Sequence, residues 1–467
     1  MKLLKIASFG FWLSFFFTLG NSAFAVSMNF GGNFRTEAAY YSKLGQDLTG
    51  SAPQKQYIRG RLLLTPSVVV DDHFSVKSQW SLLESGNFVP SMNNPAAGGQ
   101  GGFVFGDPNT TELALNRAWL EWTSDFGVVR LGRMPVAWGY GLVWDAGSNL
   151  WDDYGSTLDR IEYRLHLGSI IGALAYSKPR KLSVLGHGND ADFFTVYLQY
   201  NNPESDVEGG VLFEKHNRSS GQPTDVTTGT GNPWQIPGNP FPLSTKAPAT
   251  VTNNLLDVYL RKSLGYFTFG GEVAWLSGTS TDYNGTNNIA TDLNGFAALG
   301  SLSYEYHKIK LFTELMYVSG DDDLTNTKSS AFILIHRNRQ RGGLIFRELI
   351  GSPAVASGNN AGQGTFLAYG NTTAFSGFIL FRPGFRVDWS PSWASGIEVL
   401  WVKKASTQSG EESGIGTEID LGTDYSVYKN FDLGVAAAFL FPGKGVVPAN
   451  TDTKMIFGFH TTASLKF

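Results

Sequence analysis

Charged side chains that could bind solutes recur at every second position in several segments of the chain. The guanidinium group of arginine offers paired N–H donors that match carboxylates and phosphates and that can also bind sugar hydroxyls. Arginine leads in the first third of the sequence, where the candidate binding residues are Arg35, Arg59, Arg61, Arg117, Glu121, Arg130, Arg160 and Arg164. The last third adds Arg382, Arg386, Asp388, Glu398, Glu418 and Asp420. This pattern indicates a polar surface to which many segments contribute.

Patterns typical of catalysis or of metal binding are absent from the sequence. The seven histidines are scattered, and there is neither a G-x-S-x-G elbow nor an H-E-x-x-H motif. The run Asp321-Asp322-Asp323 lacks the spaced ligands and the glycine of an EF-hand loop. We therefore expect no enzyme activity, no cofactor and no metal site. A net charge of −4 gives no reason to expect a nucleic acid as partner.

Residues 1–25 are typical of a secretory signal peptide. Lys2 and Lys5 precede an apolar run, and small residues up to Ala25 form the expected cleavage site. The mature chain, residues 26–467, is expected to form a single domain outside the cytoplasm. It contains no cysteine, so disulfide bonds cannot stabilise it.

Alternation of apolar and polar residues with a period of two defines eighteen segments of the mature chain. Aromatic residues make up 14% and charged residues 16% of the sequence, and 55 glycines accompany them, which favours an all-β fold. Short connections alternate with long ones rich in glycine, asparagine and serine. The predicted strands are 28–41, 56–70, 74–84, 112–124, 127–138, 159–167, 169–178, 192–201, 207–215, 254–263, 266–276, 293–306, 309–319, 374–389, 393–404, 415–427, 431–441 and 454–467.

These segments have one apolar and one polar face. In 431–441, Leu433 and Val435 share a face, whereas Asp432 and Gly434 share the other. Lipid cannot form hydrogen bonds with backbone groups, so such a sheet must close on itself in a bilayer. Short periplasmic turns and long extracellular loops are typical of these barrels. The sequence therefore predicts a transmembrane antiparallel β-barrel of about 18 strands, with about 16 or 20 as alternatives, in the bacterial outer membrane.

The inward faces of the strands predict a water-filled channel. Basic residues lead on the first six strands, whereas acidic residues such as Glu208, Asp257 and Glu272 lead on strands eight to thirteen. Opposed walls of this kind favour polar, hydrogen-bonding solutes over apolar ones, and passive diffusion is favoured over energised uptake. Two alternatives remain open: the charges pair across strands and only brace the barrel, or the barrel is structural or adhesive and has no open pore.

The segment 320–373 is the longest predicted extracellular loop. Its centre combines apolar residues with the constriction candidates His336, Arg337, Arg339, Arg341 and Arg347. Because an apolar and basic segment is poorly suited to water, we expect it to fold into the channel and narrow it. The alternatives are a surface flap that binds lipopolysaccharide phosphates and an additional pair of strands.

The last predicted strand ends on Phe467, with Leu465 and Phe459 on the same face. This ending resembles the terminal signature that bacterial outer-membrane proteins present to the barrel insertion machinery. The expected partners are that machinery, outer-membrane lipid, lipopolysaccharide and small polar solutes. The sequence does not define the oligomeric state.

The segment LNRAWLEWTSDFGVVRLGRMPVAWGYGLVW, residues 115–144, resembles a hairpin of large outer-membrane porins, notably those of the alginate-export-like family. Gly132, Arg133, Trp138 and Gly139 carry the resemblance, and residues 331–351 and 414–443 are similar to further segments of that group. The resemblance implies an 18-strand channel for polar or anionic solutes, polysaccharides included, with an arginine-lined passage.

Overall fold

The computed structural model describes residues 26–42, 54–82, 103–104, 114–148, 150, 152, 155–178, 191–218, 251–281, 290–322, 327–332, 377–407, 410, 412–446 and 453–467. No helix in these ranges is long and apolar enough to cross a membrane, and Lys444–Val446 forms a short 3-10 turn. The signal peptide predicted for residues 1–25 lies outside the described residues.

Eighteen long strands form the fold of the described residues, and each corresponds to one of the predicted segments. The predicted all-β class and strand number are therefore confirmed. The strands are β1 Gly32–Tyr41, β2 Lys55–Leu64, β3 Phe74–Leu82, β4 Ala114–Ser124, β5 Gly127–Pro135, β6 Thr157–Leu167, β7 Ile170–Lys178, β8 Ala191–Asn202, β9 Val207–Arg218, β10 Val251–Leu264, β11 Phe267–Thr281, β12 Ala290–Tyr306, β13 Ile309–Val318, β14 Phe378–Ser390, β15 Trp393–Lys403, β16 Gly414–Tyr428, β17 Phe431–Pro442 and β18 Ile456–Lys466.

Short strands at Ser27–Asn29, Ser67–Val69, Phe103–Val104 and Lys328–Ser329 lie beside the long ones. The predicted segments 28–41 and 56–70 each divide into a long strand and one of these short strands. Ser27–Asn29 pairs with Ser67–Val69, so the two short strands form a small extension of the sheet where β1 begins and β2 ends.

The sheet closes on itself. Each long strand pairs antiparallel with its neighbours in the chain, and β18 returns to pair with β1 from Asn33–Lys466 to Tyr41–Gly458. The Gly32 N–H donates to the Phe467 carbonyl at 2.9 Å, and the Phe467 N–H donates to the Gly32 carbonyl at 3.1 Å. Closure leaves no unpaired edge along this seam, which removes the usual hazard of edge strands.

Turns at one end of the barrel are short. Two residues connect β4 to β5, β6 to β7, β10 to β11, β12 to β13, β14 to β15 and β16 to β17. Gly168 and Gly265 adopt φ values of 60° and 58° in two of them, where a residue with a Cβ would be strained. The connections at the other end are longer, as the sequence predicts.

Exposure alternates along the strands and separates an apolar exterior from a polar interior. In β6, Ile161 is 54% exposed, whereas its neighbours Arg160 and Glu162 are 4% and 2% exposed. Aromatic side chains cluster on the exterior near the short turns; Trp389 and Trp393, for example, flank the turn between β14 and β15 with ring centroids 6.0 Å apart. The exterior is therefore apolar and rimmed by aromatic rings, an arrangement typical of barrels in contact with lipid.

Candidate functional site

The connection between β5 and β6 folds into the barrel interior. We call residues 136–156 the inner loop; of these, 149, 151, 153 and 154 lie outside the described residues. Side chains of the inner loop contact the inner faces of β8 to β11, and arginines of β1, β2 and β4 bind its backbone from the other side. The predicted strand 127–138 was too long, because β5 ends at Pro135 and Trp138 belongs to the inner loop.

Apolar side chains attach the inner loop to one wall. Leu142, Val143 and Trp144 are fully buried, and Trp138 is nearly so. The Trp138 ring meets the Tyr259 ring edge-on at 5.1 Å, and it lies 5.5 Å from the Tyr197 ring. Burial of each large apolar side chain stabilises the folded state by about 1.5–3 kcal/mol. These packed rings therefore hold the inner loop in place against β8 and β10.

Buried carboxylates on the same wall accept hydrogen bonds from the inner loop. The Trp138 indole N–H donates to Asp257 of β10 at 3.0 Å. The backbone N–H groups of Tyr140 and Leu142 donate to Glu272 of β11 at 2.5 Å and 3.1 Å. Because both carboxylates are wholly buried, these donors offset part of the cost of removing them from water.

Arginines on the opposite side bind backbone carbonyls of the inner loop. Arg35 donates to the Leu150 carbonyl at 2.7 Å, and Arg61 donates to the same carbonyl at 2.8 Å and to the Asp152 carbonyl. Arg117 donates to the Ala146 carbonyl at 2.7 Å and to the Thr157 hydroxyl at 2.9 Å. The inner loop therefore crosses the interior with carbonyls bound by a basic wall and N–H groups bound by an acidic wall.

Glycines allow the inner loop to approach the wall closely. Gly139 and Gly141 adopt φ values of 51° and 75°, a region that L side chains rarely occupy. On β11, Gly270 leaves the space that the Tyr140 hydroxyl fills, since a Cβ on Gly270 would lie 1.5 Å from that oxygen. The depth of the inner loop in the barrel therefore depends on glycines in the inner loop itself and on Gly270 of β11.

Nearer the short turns, the basic wall contains a network of ion pairs. Glu162 contacts Arg130 at 3.1 Å, Arg160 at 2.9 Å and Arg164 at 2.5 Å. Glu121 contacts Arg130 at 3.1 Å and Lys77 at 2.5 Å. Two carboxylates thus hold four basic side chains, which leaves this part of the wall positively charged.

A second ionic group lies on β14 to β16. Arg382 contacts Glu398 at 2.6 Å, and Arg386 contacts Asp388 at 3.1 Å and Asp424 at 3.5 Å. The Arg386 group is about half exposed, so it faces water near the short turns.

No protein-family model matches the sequence, and no curated protein matches it. Solved structures do match it. Pseudomonas aeruginosa OpdQ superposes with a TM-score of 0.53 at 8% identity, over 94% of this chain and 97% of OpdQ. A BenF-like porin from Pseudomonas fluorescens Pf-5 superposes with a TM-score of 0.52 at 10% identity, over 94% of this chain and 98% of that porin. The outer membrane protein OpdK of Pseudomonas aeruginosa superposes with a TM-score of 0.50 at 11% identity, over 94% of this chain and 98% of OpdK.

The chain has the fold of these outer-membrane proteins. Identities of 8% to 11% extend the likeness to the fold alone. The resemblance to the alginate-export-like family receives no support from these comparisons.

All fourteen predicted pore-lining residues lie on strands at inward-facing positions, alternating with outward-facing apolar residues. Their environments differ, however. Arg35, Arg61 and Arg117 bind the inner loop, and Arg59 binds Glu37 at 2.6 Å. Glu121, Arg130, Arg160, Arg164, Arg382, Arg386, Asp388 and Glu398 belong to the two ionic networks, and Glu418 and Asp420 are buried. The constriction candidates His336, Arg337, Arg339, Arg341 and Arg347 lie outside the described residues.

The sequence analysis did not identify the inner loop as part of the interior. Its signal is present, because Leu142, Val143 and Trp144 form an apolar run flanked by glycines in a predicted extracellular loop. Such a run is unsuited to water.

A cavity of about 300 Å³ lies between the inner loop and the acidic wall. Trp138, Tyr140 and Asp145 of the inner loop line it, together with Glu208, Tyr259 and Arg261 of β9 and β10. It combines aromatic surface with charges of both signs.

Proposed function

We propose that this chain is a porin-type channel of the bacterial outer membrane through which small polar solutes diffuse passively. The observation that carries the proposal is the strict division between an apolar, aromatic-rimmed exterior and an ionised interior in a closed 18-strand barrel. A bilayer outside and water inside satisfy both surfaces at once. A barrel of this width has room for an aqueous channel beside an inward-folded loop.

Charge of opposite sign on opposite sides of the interior favours polar and charged solutes. Four basic side chains surround Glu121 and Glu162 on one side. On the other side, Asp388, Glu398 and Asp424 accompany two arginines. The resulting transverse field orients dipolar solutes and disfavours apolar ones. Anions and small carbohydrates belong to the solutes that we propose on this ground.

A second candidate function is a structural barrel that has no open pore. The buried ion pairs favour it: Glu37, for example, is fully buried against Arg59, and the inner loop is bound on both sides of the interior. In this alternative, the interior charges brace the strands and the outer loops make contacts.

Reconstitution separates the two candidates. The mature chain, refolded in detergent and inserted into liposomes, is expected to cause swelling in small sugars and discrete conductance steps in planar bilayers. Replacing residues 139–147 with a short Gly-Ser segment should increase the conductance, because the inner loop occupies part of the passage. An intact barrel that neither swells liposomes nor conducts, and that conducts only after this replacement, would establish the structural alternative.

The constriction predicted for the loop 320–373 remains a proposal. Deleting residues 331–350 should raise single-channel conductance if this loop narrows the passage, and an unchanged conductance contradicts that role. The first two residues of the deleted segment, Ala331 and Phe332, are described and buried, and the Phe332 N–H donates to the Ser319 carbonyl at 2.9 Å.

Membrane partners follow from the exterior surface. Phe467 is half exposed beside Leu465 on the apolar face, which suits recognition by the barrel insertion machinery. Lipid and lipopolysaccharide are the proposed surroundings of the mature chain after removal of residues 1–25. Deleting Phe467 should slow assembly into the outer membrane more than it lowers the stability of the refolded barrel.

A further inference from the structure

Glu208 and Arg261 are directly opposite each other on β9 and β10, and both face the interior. Oppositely charged cross-strand neighbours usually attract each other into a pair. Here no ion pair joins them, and Arg261 makes no hydrogen bond to a described residue. An exposed guanidinium and a half-buried carboxylate therefore lie side by side, each with unused hydrogen-bonding capacity.

A neighbouring tyrosine engages Glu208. The Tyr259 hydroxyl donates to the Glu208 carboxylate at 3.2 Å and accepts from the Gln199 side-chain amide at 3.3 Å. Tyr259 is itself buried against Trp138, so this chain of hydrogen bonds starts from a rigid part of the wall. One hydrogen bond from a neutral hydroxyl leaves most of the acceptor capacity of the carboxylate available.

Both charged groups line the 300 Å³ cavity under the inner loop, on the side of the short turns. That volume is at the lower end of the range for small-molecule sites. The remaining lining includes the aromatic residues Trp138, Tyr140 and Tyr259. The cavity thus offers one guanidinium group, an aromatic wall and two carboxylates, of which Asp145 already accepts the Gly147 N–H at 2.9 Å.

We infer that this cavity is a binding site for a small zwitterion of the α-amino-acid type with an apolar or aromatic side chain. The ligand ammonium donates to Glu208, and its carboxylate accepts two hydrogen bonds from the Arg261 guanidinium. The ammonium and carboxylate groups of an α-amino acid are attached to the same carbon. They can therefore reach Glu208 and Arg261, which lie directly opposite each other on β9 and β10. The ligand body packs against the aromatic lining. The inference deepens the proposed function, on which it rests for the route by which the solute reaches the cavity.

Equilibrium binding tests this site without relying on conductance. Isothermal titration of the refolded, detergent-solubilised full chain would compare L-phenylalanine with 3-phenylpropionate, which lacks the ammonium, and with 2-phenylethylamine, which lacks the carboxylate. We expect L-phenylalanine to bind at least about tenfold more tightly than either analogue, since each lost charge-assisted hydrogen bond weakens binding by that order. Equal affinities for the three probes overturn the inference.

Matched variants locate the effect. Glu208→Gln should abolish the preference for L-phenylalanine over 3-phenylpropionate, and Arg261→Met should abolish its preference over 2-phenylethylamine. The controls are Glu305→Gln and Lys310→Met, because these residues form an exposed cross-strand pair near the short turns of another wall. Equal losses in the control variants would mean that bulk field, and not the cavity, determines binding, and would overturn the site. Zwitterion binding without any conductance contradicts only the proposed channel, whereas conductance without zwitterion preference contradicts only this site.

Discussion

The carboxylate of Glu272 on β11 accepts the backbone N–H of Tyr140, a residue 132 positions earlier in the chain. The same carboxylate accepts the Leu142 N–H at 3.1 Å, so both of its oxygens are engaged by the inner loop. Glu272 is fully buried and receives these donors in place of water. This contact fixes how deeply the inner loop reaches into the barrel.

Replacing Glu272 with glutamine is expected to loosen the inner loop. A carboxamide offers a single acceptor oxygen, and its NH₂ group would face a backbone donor. We expect the free energy of unfolding to fall by about 1–3 kcal/mol, the usual effect of leaving a buried donor unsatisfied. Urea unfolding of the refolded barrel measures this change, and limited proteolysis at 136–156 should become faster. Glu305→Gln, at a largely exposed carboxylate, is the control and should change neither measurement.

Gly270→Ala should displace Tyr140 from the wall. The added Cβ would lie 1.5 Å from the Tyr140 hydroxyl, so the ring must move and carry the inner loop with it. We expect altered single-channel conductance in the proposed channel. Tyr140→Ala removes the obstacle, so adding Gly270→Ala to that variant should have no further effect. Gly300→Ala on β12, where nothing lies within 4 Å of the new Cβ, should leave the conductance unchanged.

The strands could be predicted from the sequence because one physical constraint acts on all of them. Each strand contacts an apolar medium on one face and a polar interior on the other, so alternation persists along segments such as β17. Strand ends were less predictable. β5 stops at Pro135, yet Val136 and Trp138 continue the apolar pattern, because Trp138 is buried inside the barrel and Val136 is partly buried beside it.

The sequence predicts which face of each strand points into the interior, but not what the interior side chains contact. Alternation places Arg61 and Arg117 on the inner face, but it does not reveal that both bind backbone carbonyls of the inner loop. Arg117 binds a carbonyl 29 residues later in the chain, and Arg61 binds one 89 residues later. Such contacts depend on the path of the inner loop, which has no periodicity. The apolar run Leu142-Val143-Trp144 was the available signal, and the same argument had selected the loop 320–373 instead.

Arg61→Met should release the inner loop from the basic wall. Arg61 donates to the carbonyls of Leu150 and Asp152, and a methionine side chain has no donor that could replace these hydrogen bonds. We expect a loss of about 1–3 kcal/mol in the free energy of unfolding and increased current noise from a mobile loop. Arg133→Met is the matched control, because Arg133 pairs with Asp159 on the outer face and is one-third exposed. Equal destabilisation by the two variants would contradict a specific role of Arg61.

Glu162→Gln should both destabilise the barrel and change its ion preference. Glu162 is almost fully buried and contacts Arg130, Arg160 and Arg164. Removing its charge leaves three guanidinium groups with less compensation, and breaking a buried ion pair typically costs about 3–5 kcal/mol. In the proposed channel, the reversal potential in asymmetric salt should shift toward anions.

Adding Arg164→Met to Glu162→Gln distinguishes charge imbalance from simple loss of packing. The double variant removes one of the unpaired cations, so it should recover part of the stability and part of the original reversal potential. Asp159→Asn, at a half-exposed carboxylate on the outer face, is the control for loss of one negative charge and should leave the reversal potential unchanged. If the double variant is no more stable than Glu162→Gln, the three arginines do not repel one another strongly enough to require this carboxylate.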